Sequence, residues 1–443
     1  MERVLLVEPD YKNKFPPLGL MKLSTFHQNR GDYVRFTKGQ SAEIRALHWD
    51  RIYVTTLFTF EWKRTVETIR FYSRAESKPK VFVGGIMASL LTSELEAEVS
   101  AQVIPGLLND AGLLGYPGEG PIDGLVPDYS LLDDADYVYP VMDSYFAHAT
   151  RGCIRHCGFC AVPTIEPKYQ SYLPLRKQVQ AIEDLYGTKR DLVLMDNNTL
   201  ASPHFEKIVE DIEALGFGRG ARLGNKARYV DFNQGLDARL VTRENMALLG
   251  RLNVRPVRLA FDSLDMRAEY EQAVRWAADE GFTRLSNYVL WNCEDTPQDL
   301  YERLRINIDL NEELGTQIFS FPMRFSPVER RDRKYIGPRW TWRHIRGVQC
   351  ILTATRGVVG IGRKFFLRAF GSDAGEFMEL ITMPEPYIMD RDVHERTDAA
   401  EWRSVYRQLN PDQKAEFHAL VLGGRHPVGS SDDALVRTLL AHY

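Results

Sequence analysis

The chain has 443 residues, 44% hydrophobic and 26% charged, with Lys+Arg 56 against Asp+Glu 60 for a net charge of -4. A chain this long buries a real core in two or three domains without staples, and this charge balance excludes a wholesale nucleic-acid coat or a disordered tail. Nothing approaches the roughly 20 apolar residues of a membrane span, since Val4-Leu5-Leu6-Val7 is closed at once by Glu8 and Pro9, and a cytoplasmic protein is expected. Five cysteines, few and odd in number, argue for a reducing compartment rather than a disulfide framework.

Apolar, β-branched runs alternate with longer amphipathic stretches from the first residue to about 320, which makes the chain α/β. Strands are expected near Val4-Val7, Tyr33-Phe36, Ile52-Thr56, Val81-Val83 and Ala101-Ile104, with helices such as Trp62 to Ala75 between them. Five short strands with helical crossovers make an N-terminal doubly wound, Rossmann-like sheet over 1–110. Gly84-Gly85 follows the fourth strand, where the backbone turns tightly or approaches a ligand. Residues 111–144, rich in Gly, Pro and Asp, read as a linker.

A second series follows over 145–325. Its expected strands are Tyr145-Thr150, Leu192-Met195, Arg228-Phe232, Val257-Phe261, Leu285-Leu290 and Gln317-Phe321. Its expected helices are Leu175-Tyr186, His204-Leu215, Thr242-Leu249, Asp265-Glu280 and Pro297-Leu314. Ser202-Pro203 and Thr296-Pro297-Gln298-Asp299 are helix starts, with a hydroxyl cap before a proline. Six such units are three-quarters of a (β/α)₈ barrel, so a partial (β/α)6 TIM-like barrel is expected, with its chemistry at the carboxyl ends of the strands. Residues 326–443 read as a small, mostly helical C-terminal domain.

Immediately after the first strand of that series, Thr150-Arg151-Gly152-Cys153-Ile154-Arg155-His156-Cys157-Gly158-Phe159-Cys160 places three thiols at C-x₃-C-x₂-C. Thiolates this close on a glycine-containing loop converge on one soft metal centre. Iron–sulfur clusters normally take four cysteines, so a triplet implies an iron with an open position. The competing reading is zinc held by Cys153, His156, Cys157 and Cys160, but four ligands in eight residues lack the second knuckle of structural zinc sites. Cys293 and Cys350, far off in sequence, read as small buried hydrophobes.

This triplet, with Phe159 just before its last cysteine at the end of a barrel's first strand, resembles the radical S-adenosylmethionine (SAM) superfamily. The resemblance covers roughly 145–325, and the preceding domain is similar to the cobalamin-binding-type domain of one branch. It implies that Cys153, Cys157 and Cys160 hold a [4Fe-4S] cluster, that SAM binds the fourth iron, and that reductive cleavage yields a 5′-deoxyadenosyl radical that abstracts hydrogen. It implies SAM contacts from Phe159 and from polar groups after the second strand, where Asp196 and Asn197 stand, the alternative being that both cap a turn. After the third strand, Gln234 is a candidate for the ribose and Arg239 for the SAM carboxylate, unless Arg239 pairs with a helix carboxylate. Asp262 and Asn292, after the fourth and fifth strands, are expected in the substrate cavity, although Asp262 also suits the start of the next helix.

In the first domain, Thr55, Thr56, Gly84 and Gly85 resemble the hydroxyl-bearing loop and Gly-Gly turn under a corrin, and Pro16-Pro17-Leu18-Gly19-Leu20 recurs in that branch. No Asp-x-His-x-x-Gly motif is present, so no lower axial histidine is offered in the usual place, and a domain that only packs against the barrel fits equally. Residues 330–346 carry seven Arg or Lys among Tyr335, Trp340 and Trp342. They form either a solvated or docking surface or a phosphate- and base-gripping one. Expected is a radical SAM enzyme acting on a small-molecule or nucleotide-like substrate, with a reductant such as flavodoxin or ferredoxin. Its subtypes are cobalamin-dependent methyl transfer, or rearrangement, epimerisation or oxidation without cobalamin. The reading from another class is a zinc-loop nucleic-acid-binding protein.

Overall fold

The computed structural model describes residues 1–443, apart from the side chain of Asp134. By packing, the chain divides into two compact units, residues 1–234 with 251–254 and 327–333, and residues 235–250 with 255–326 and 334–443. Among the described residues no helix is long and apolar enough to cross a membrane.

The first unit opens on five parallel strands, β1 (Arg3–Glu8), β2 (Tyr33–Lys38), β3 (Arg51–Thr56), β4 (Lys80–Gly85) and β5 (Gln102–Ile104), in the order β2-β1-β3-β4-β5. Each lies within two residues of its expected bounds. Val4 to Val7 are fully buried because β1 is paired on both edges and covered on both faces, which is why that run is unbroken by polar residues. Leu5, Val7, Ile52, Val54 and Val83 pack with Val66 and Ile69 of helix Trp62–Ser73. Gly84 and Gly85 fall inside β4 rather than after it, in register with Thr55 and Thr56 of β3. Crossovers change direction between β1 and β3, so the ligand crevice of such a sheet lies at their carboxyl ends.

The six strands of the second series are all present, but as two sheets in place of one continuous barrel wall. β6 (Ser144–Ala147), β7 (Asp191–Leu194) and β10 (Val230–Phe232) form a parallel sheet in the first unit, while a short antiparallel hairpin, β8 (Arg222–Leu223) with β9 (Lys226–Ala227), precedes β10. β11 (Val257–Ala260), β12 (Arg284–Trp291) and β13 (Gln317–Arg324) form a second parallel sheet in the second unit. β10 is only three residues long, and its outer edge is met at Val230 by an isolated parallel bridge to Val254.

Helix Pro297–Leu314 starts as expected, with Thr296 and Asp299 exchanging side-chain-to-backbone bonds in a capping box. The helix expected over His204–Leu215 is α-helical only over Phe205–Ile212. A π turn, Glu213–Phe217, follows, with Gly216 at φ 81°, a left-handed position that ends regular helix.

The C-terminal residues are helical as expected, from Trp342–Ala354 to Ala434–Leu440. Their core is continuous with Val289, Trp291, Leu300 and Leu304 of β12 and the following helix, adding Ile345, Val348, Phe370, Phe377, Trp402 and Phe417. Gly347 lets helix Trp342–Ala354 press against Ala374–Thr382, because a methyl there would run into the Ile381 carbonyl oxygen. In Gly347→Ala the helix-propensity gain of about 1 kcal/mol is outweighed by overpacking against backbone. A net loss of roughly 1–2 kcal/mol is expected in urea unfolding of the whole chain.

Candidate active site

Beyond β6 the chain runs straight into the thiol loop, and two buried carboxylates shape it. Asp196, just after β7, accepts the Ala149 amide at 3.0 Å on one oxygen, and the Thr150 amide and Thr150 hydroxyl (2.7 Å) on the other. Burial pushes its carboxyl up to about 6 against the pull of those donors. Glu166 accepts Arg151 at 2.9 Å, the Gly152 amide at 2.7 Å and Asn197 Nδ2 at 2.8 Å. Gly152 sits at φ 71°, and a Cβ there would lie 2.7 Å from the Lys168 carbonyl oxygen and 2.9 Å from that of Glu166, so no other residue fits. Arg151 also reaches Asp123, which Lys22 holds from the other side at 3.0 Å. Although burial opposes it, these two cations hold the Asp123 carboxyl down to about 2. His148 lies 2.8 Å from Arg151, and burial together with that charge keeps its pKa far below the usual imidazole range.

On this frame Cys153, Cys157 and Cys160 are half-buried, Phe159 is half-buried beside them, and His156 is exposed. The Cys153 sulfur receives the Arg155 amide and Asn198 Nδ2, each at 3.4 Å. Asn198 is buried, and its Oδ1 has no partner among the described residues. An orphaned acceptor of this kind costs about 1–3 kcal/mol unless a ligand meets it.

The sulfur spacing tests the two metal readings. Tetrahedral zinc with Zn–S near 2.3 Å brings its sulfurs to about 3.8 Å of one another. Among the described residues, the only His, Cys, Asp or Glu group whose ligand atoms all lie within 4.8 Å of one another is Glu2, His27 and Asp32, so the three thiols stand wider than a single ion requires. The Arg155 amide and Asn198 donors on the Cys153 sulfur fit a thiolate ligand.

Other expected site residues are placed as follows. Asn197 is half-buried on Glu166, while Asp196 is occupied by Ala149 and Thr150, so both reach the thiol loop's surroundings rather than cap the turn after β7. Gln234 is exposed. Arg239 forms a fork on Asp237, Nε to Oδ1 at 2.7 Å and a terminal nitrogen to Oδ2 at 3.2 Å, a loop acid two residues back rather than a helix carboxylate. Asn292, buried at φ 66°, gives Nδ2 to the Phe325 and Tyr335 carbonyls and takes the Gly337 amide on Oδ1, so it staples a loop. Asp262 stands two residues past the end of β11, and burial pushes its carboxyl up to about 6. Cys350 is buried in the helical core as expected, and Cys293 is half-buried just past β12.

For a corrin, the Thr56 hydroxyl already bonds the Gly84 carbonyl at 3.0 Å and the Ala88 amide at 2.9 Å. A Cβ on Gly85 would strike the Thr56 carbonyl, so strand packing alone demands that glycine. Two of the four residues therefore have structural work, and Thr55 and Gly84 alone stay open to a ligand. In the basic stretch, Arg331 lies over Trp62 at 4.1 Å and Arg333 over Phe60 at 3.8 Å. Trp340 is buried with its indole on Asp295, and Tyr335 packs on Phe325. These contacts are those of a docking segment rather than of a base-stacking surface.

Sequence reasoning missed Glu166, Asp123 and Lys22, which lie outside any motif, and it passed over Asn198 although that residue adjoins Asp196-Asn197.

No protein-family model matches the sequence, and no curated protein matches it. Among solved structures, the chain is similar to the radical SAM methyltransferase TsrM from Kitasatospora setae, with tryptophan substrate and the SAM analogue aza-SAM bound. Identity is 15%, the match covers 79% of this chain and 76% of that one, and the TM-score is 0.51. Streptococcus suis SuiB bound to SAM (11% identity, 49% and 45% covered, TM-score 0.30) and SuiB bound to precursor peptide SuiA (13%, 62% and 61%, 0.33) are also found, too distant to carry an argument. The likeness to TsrM is one of fold.

Because the folded-state pKa of Asp196 lies above the ordinary 3.8, its ionised form costs stability. That cost is absent below about pH 4, grows as pH rises, and is complete above about pH 6. Asp196→Asn should flatten the fall in stability between pH 4 and 6 in urea titrations, while losing roughly 1–3 kcal/mol overall because one amide oxygen cannot serve all three donors.

Proposed function

We propose that this chain is a radical SAM enzyme in which Cys153, Cys157 and Cys160 hold a [4Fe-4S] cluster and SAM takes its open iron. The observation that carries the reading is the triplet itself, three half-buried cysteines on a loop locked by Asp196 and Glu166, in a fold similar to that of TsrM. Such a cluster, when bound, supplies the electron that splits the sulfonium of SAM and so starts hydrogen abstraction.

The chain's own residues do the rest. Glu166 and Asp196 fix the loop before any cofactor arrives, so binding does not have to order it. The Arg155 amide and Asn198 Nδ2 withdraw charge from the Cys153 sulfur. The unpartnered Asn198 Oδ1 is the acceptor for the ammonium of SAM, in place of the occupied Asp196 carboxylate. Phe159, Asn197 and Gln234 are the other candidates around SAM, and Arg239 would have to leave Asp237 to bind its carboxylate.

Methyl transfer is the subtype favoured, since TsrM is a radical SAM methyltransferase. No step is assigned to cobalamin, because only Thr55 and Gly84 of its four candidate residues are open. A flavodoxin or ferredoxin is the class of reductant this chemistry needs.

Anaerobic purification should give a brown protein with about four irons per chain. With SAM and a strong reductant it should release 5′-deoxyadenosine, and Cys157→Ala should abolish both. A colourless protein carrying one zinc would overturn the proposal. Asn198→Ala, which removes a donor from Cys153, should shift the cluster's reduction potential downward in an EPR-monitored titration.

A further inference from the structure

The face of sheet β11-β12-β13 turned away from its helices has a composition of its own. Ser320 bonds Asn307 of helix Pro297–Leu314 at 2.9 Å, and Ile318 is buried beside it. Strand alternation therefore puts Phe321 and Met323 on the opposite face. On β12, Val289 belongs to the helical core, which leaves Tyr288 and Leu290 on that same opposite face. Tyr288 is in register with Phe321 and Leu290 with Met323, and the two rings stand 6.1 Å apart. Met323 is 51% exposed, an apolar side chain left open at the carboxyl end of a buried sheet.

One carboxylate stands at the rim of this face. Phe261 stacks at 4.1 Å on Tyr270 of helix Arg267–Asp279, so the next residue, Asp262, turns the other way. It feels Asp237 and Arg239, whose loop begins at Gly235 against the Tyr288 ring. The nearby cations are already matched, Arg303 by Asp295 at 2.6 Å and Arg239 by Asp237 at 2.7 Å. The Arg303 guanidinium also grips the Phe261, Asp262 and Leu290 carbonyls, fixing the strand ends around the acid. No hydrogen bond reaches the Asp262 carboxylate from the described residues, and counting these five charged groups leaves one negative charge without a mate. Burial already penalises that charge, so a cation relieves it where an anion would be repelled.

We propose that this face is the substrate surface, and that it takes a small aromatic or apolar molecule bearing an ammonium, the apolar body lying on Tyr288, Leu290, Phe321 and Met323 and the ammonium on Asp262. The inference rests on the radical SAM reading and names the substrate class for it.

Calorimetric titration of the cluster-loaded chain with phenethylamine and with 3-phenylpropionate, the same ring carrying opposite charges, tests it. The amine should bind and the acid should not. Asp262→Asn should weaken the amine by about tenfold or more, with circular dichroism unchanged, and Phe321→Ala should weaken it as well. Equal binding of the two probes, no binding of the amine, or an Asp262→Asn variant with unaltered affinity would overturn the inference. The same preparation is assayed for 5′-deoxyadenosine without either probe. Release of it with no amine binding defeats the substrate assignment alone, whereas amine binding without release defeats the radical reading alone.

Discussion

A thiol loop of eight residues has too few neighbours of its own to hold three sulfurs in place, and here two buried carboxylates supply what the loop lacks. Asp196 collects three donors at the loop's entry, and Glu166 reaches from its far side to the Gly152 amide and to Arg151. Each is an acceptor at a point where backbone amides would otherwise be buried and unpaired. Gly152 completes the constraint, since its left-handed backbone and the two carbonyls against it leave no space for a side chain. The sulfur positions are thus set by groups that never touch a metal.

The same logic extends outward from Arg151. Its guanidinium joins Glu166 to Asp123, and Asp123 is held by Lys22 of helix Leu18–Asn29. A line of alternating charges therefore ties the thiol loop to a helix packed on the five-stranded sheet. The Gly- and Pro-rich segment that supplies Asp123 reads from composition as a spacer, yet it carries one of the most strongly stabilised carboxylates in the unit. The second unit has a parallel device in Arg303, whose fully buried side chain binds the carbonyls at the ends of β11 and β12.

Much of this was legible beforehand because its causes are local. Parallel strands buried on both faces write themselves as apolar runs, which is why β1 to β5 fall within two residues of expectation. The thiol spacing and the cap at Thr296 are likewise read from adjacent residues. What escaped was non-local. Glu166 finds Gly152 only after the chain folds back, and Asn197 and Asn198 look alike in sequence although one bonds Glu166 and the other faces Cys153. Asn292 and Arg239, expected to face ligands, are claimed by a loop and by Asp237. Polar residues at strand ends serve both purposes, and composition does not separate them. The division of the six strands into two sheets is likewise something no periodicity announces.

The chain passes between its two units five times, at 234/235, 250/251, 254/255, 326/327 and 333/334. Neither unit is therefore a contiguous stretch of sequence, and no single cut yields one of them whole. An ancestral exchange of one half for another would have needed several simultaneous crossovers. A fragment cut to isolate the thiol loop or the aromatic face beside Asp262 would thus lack part of its own unit or carry pieces of the other.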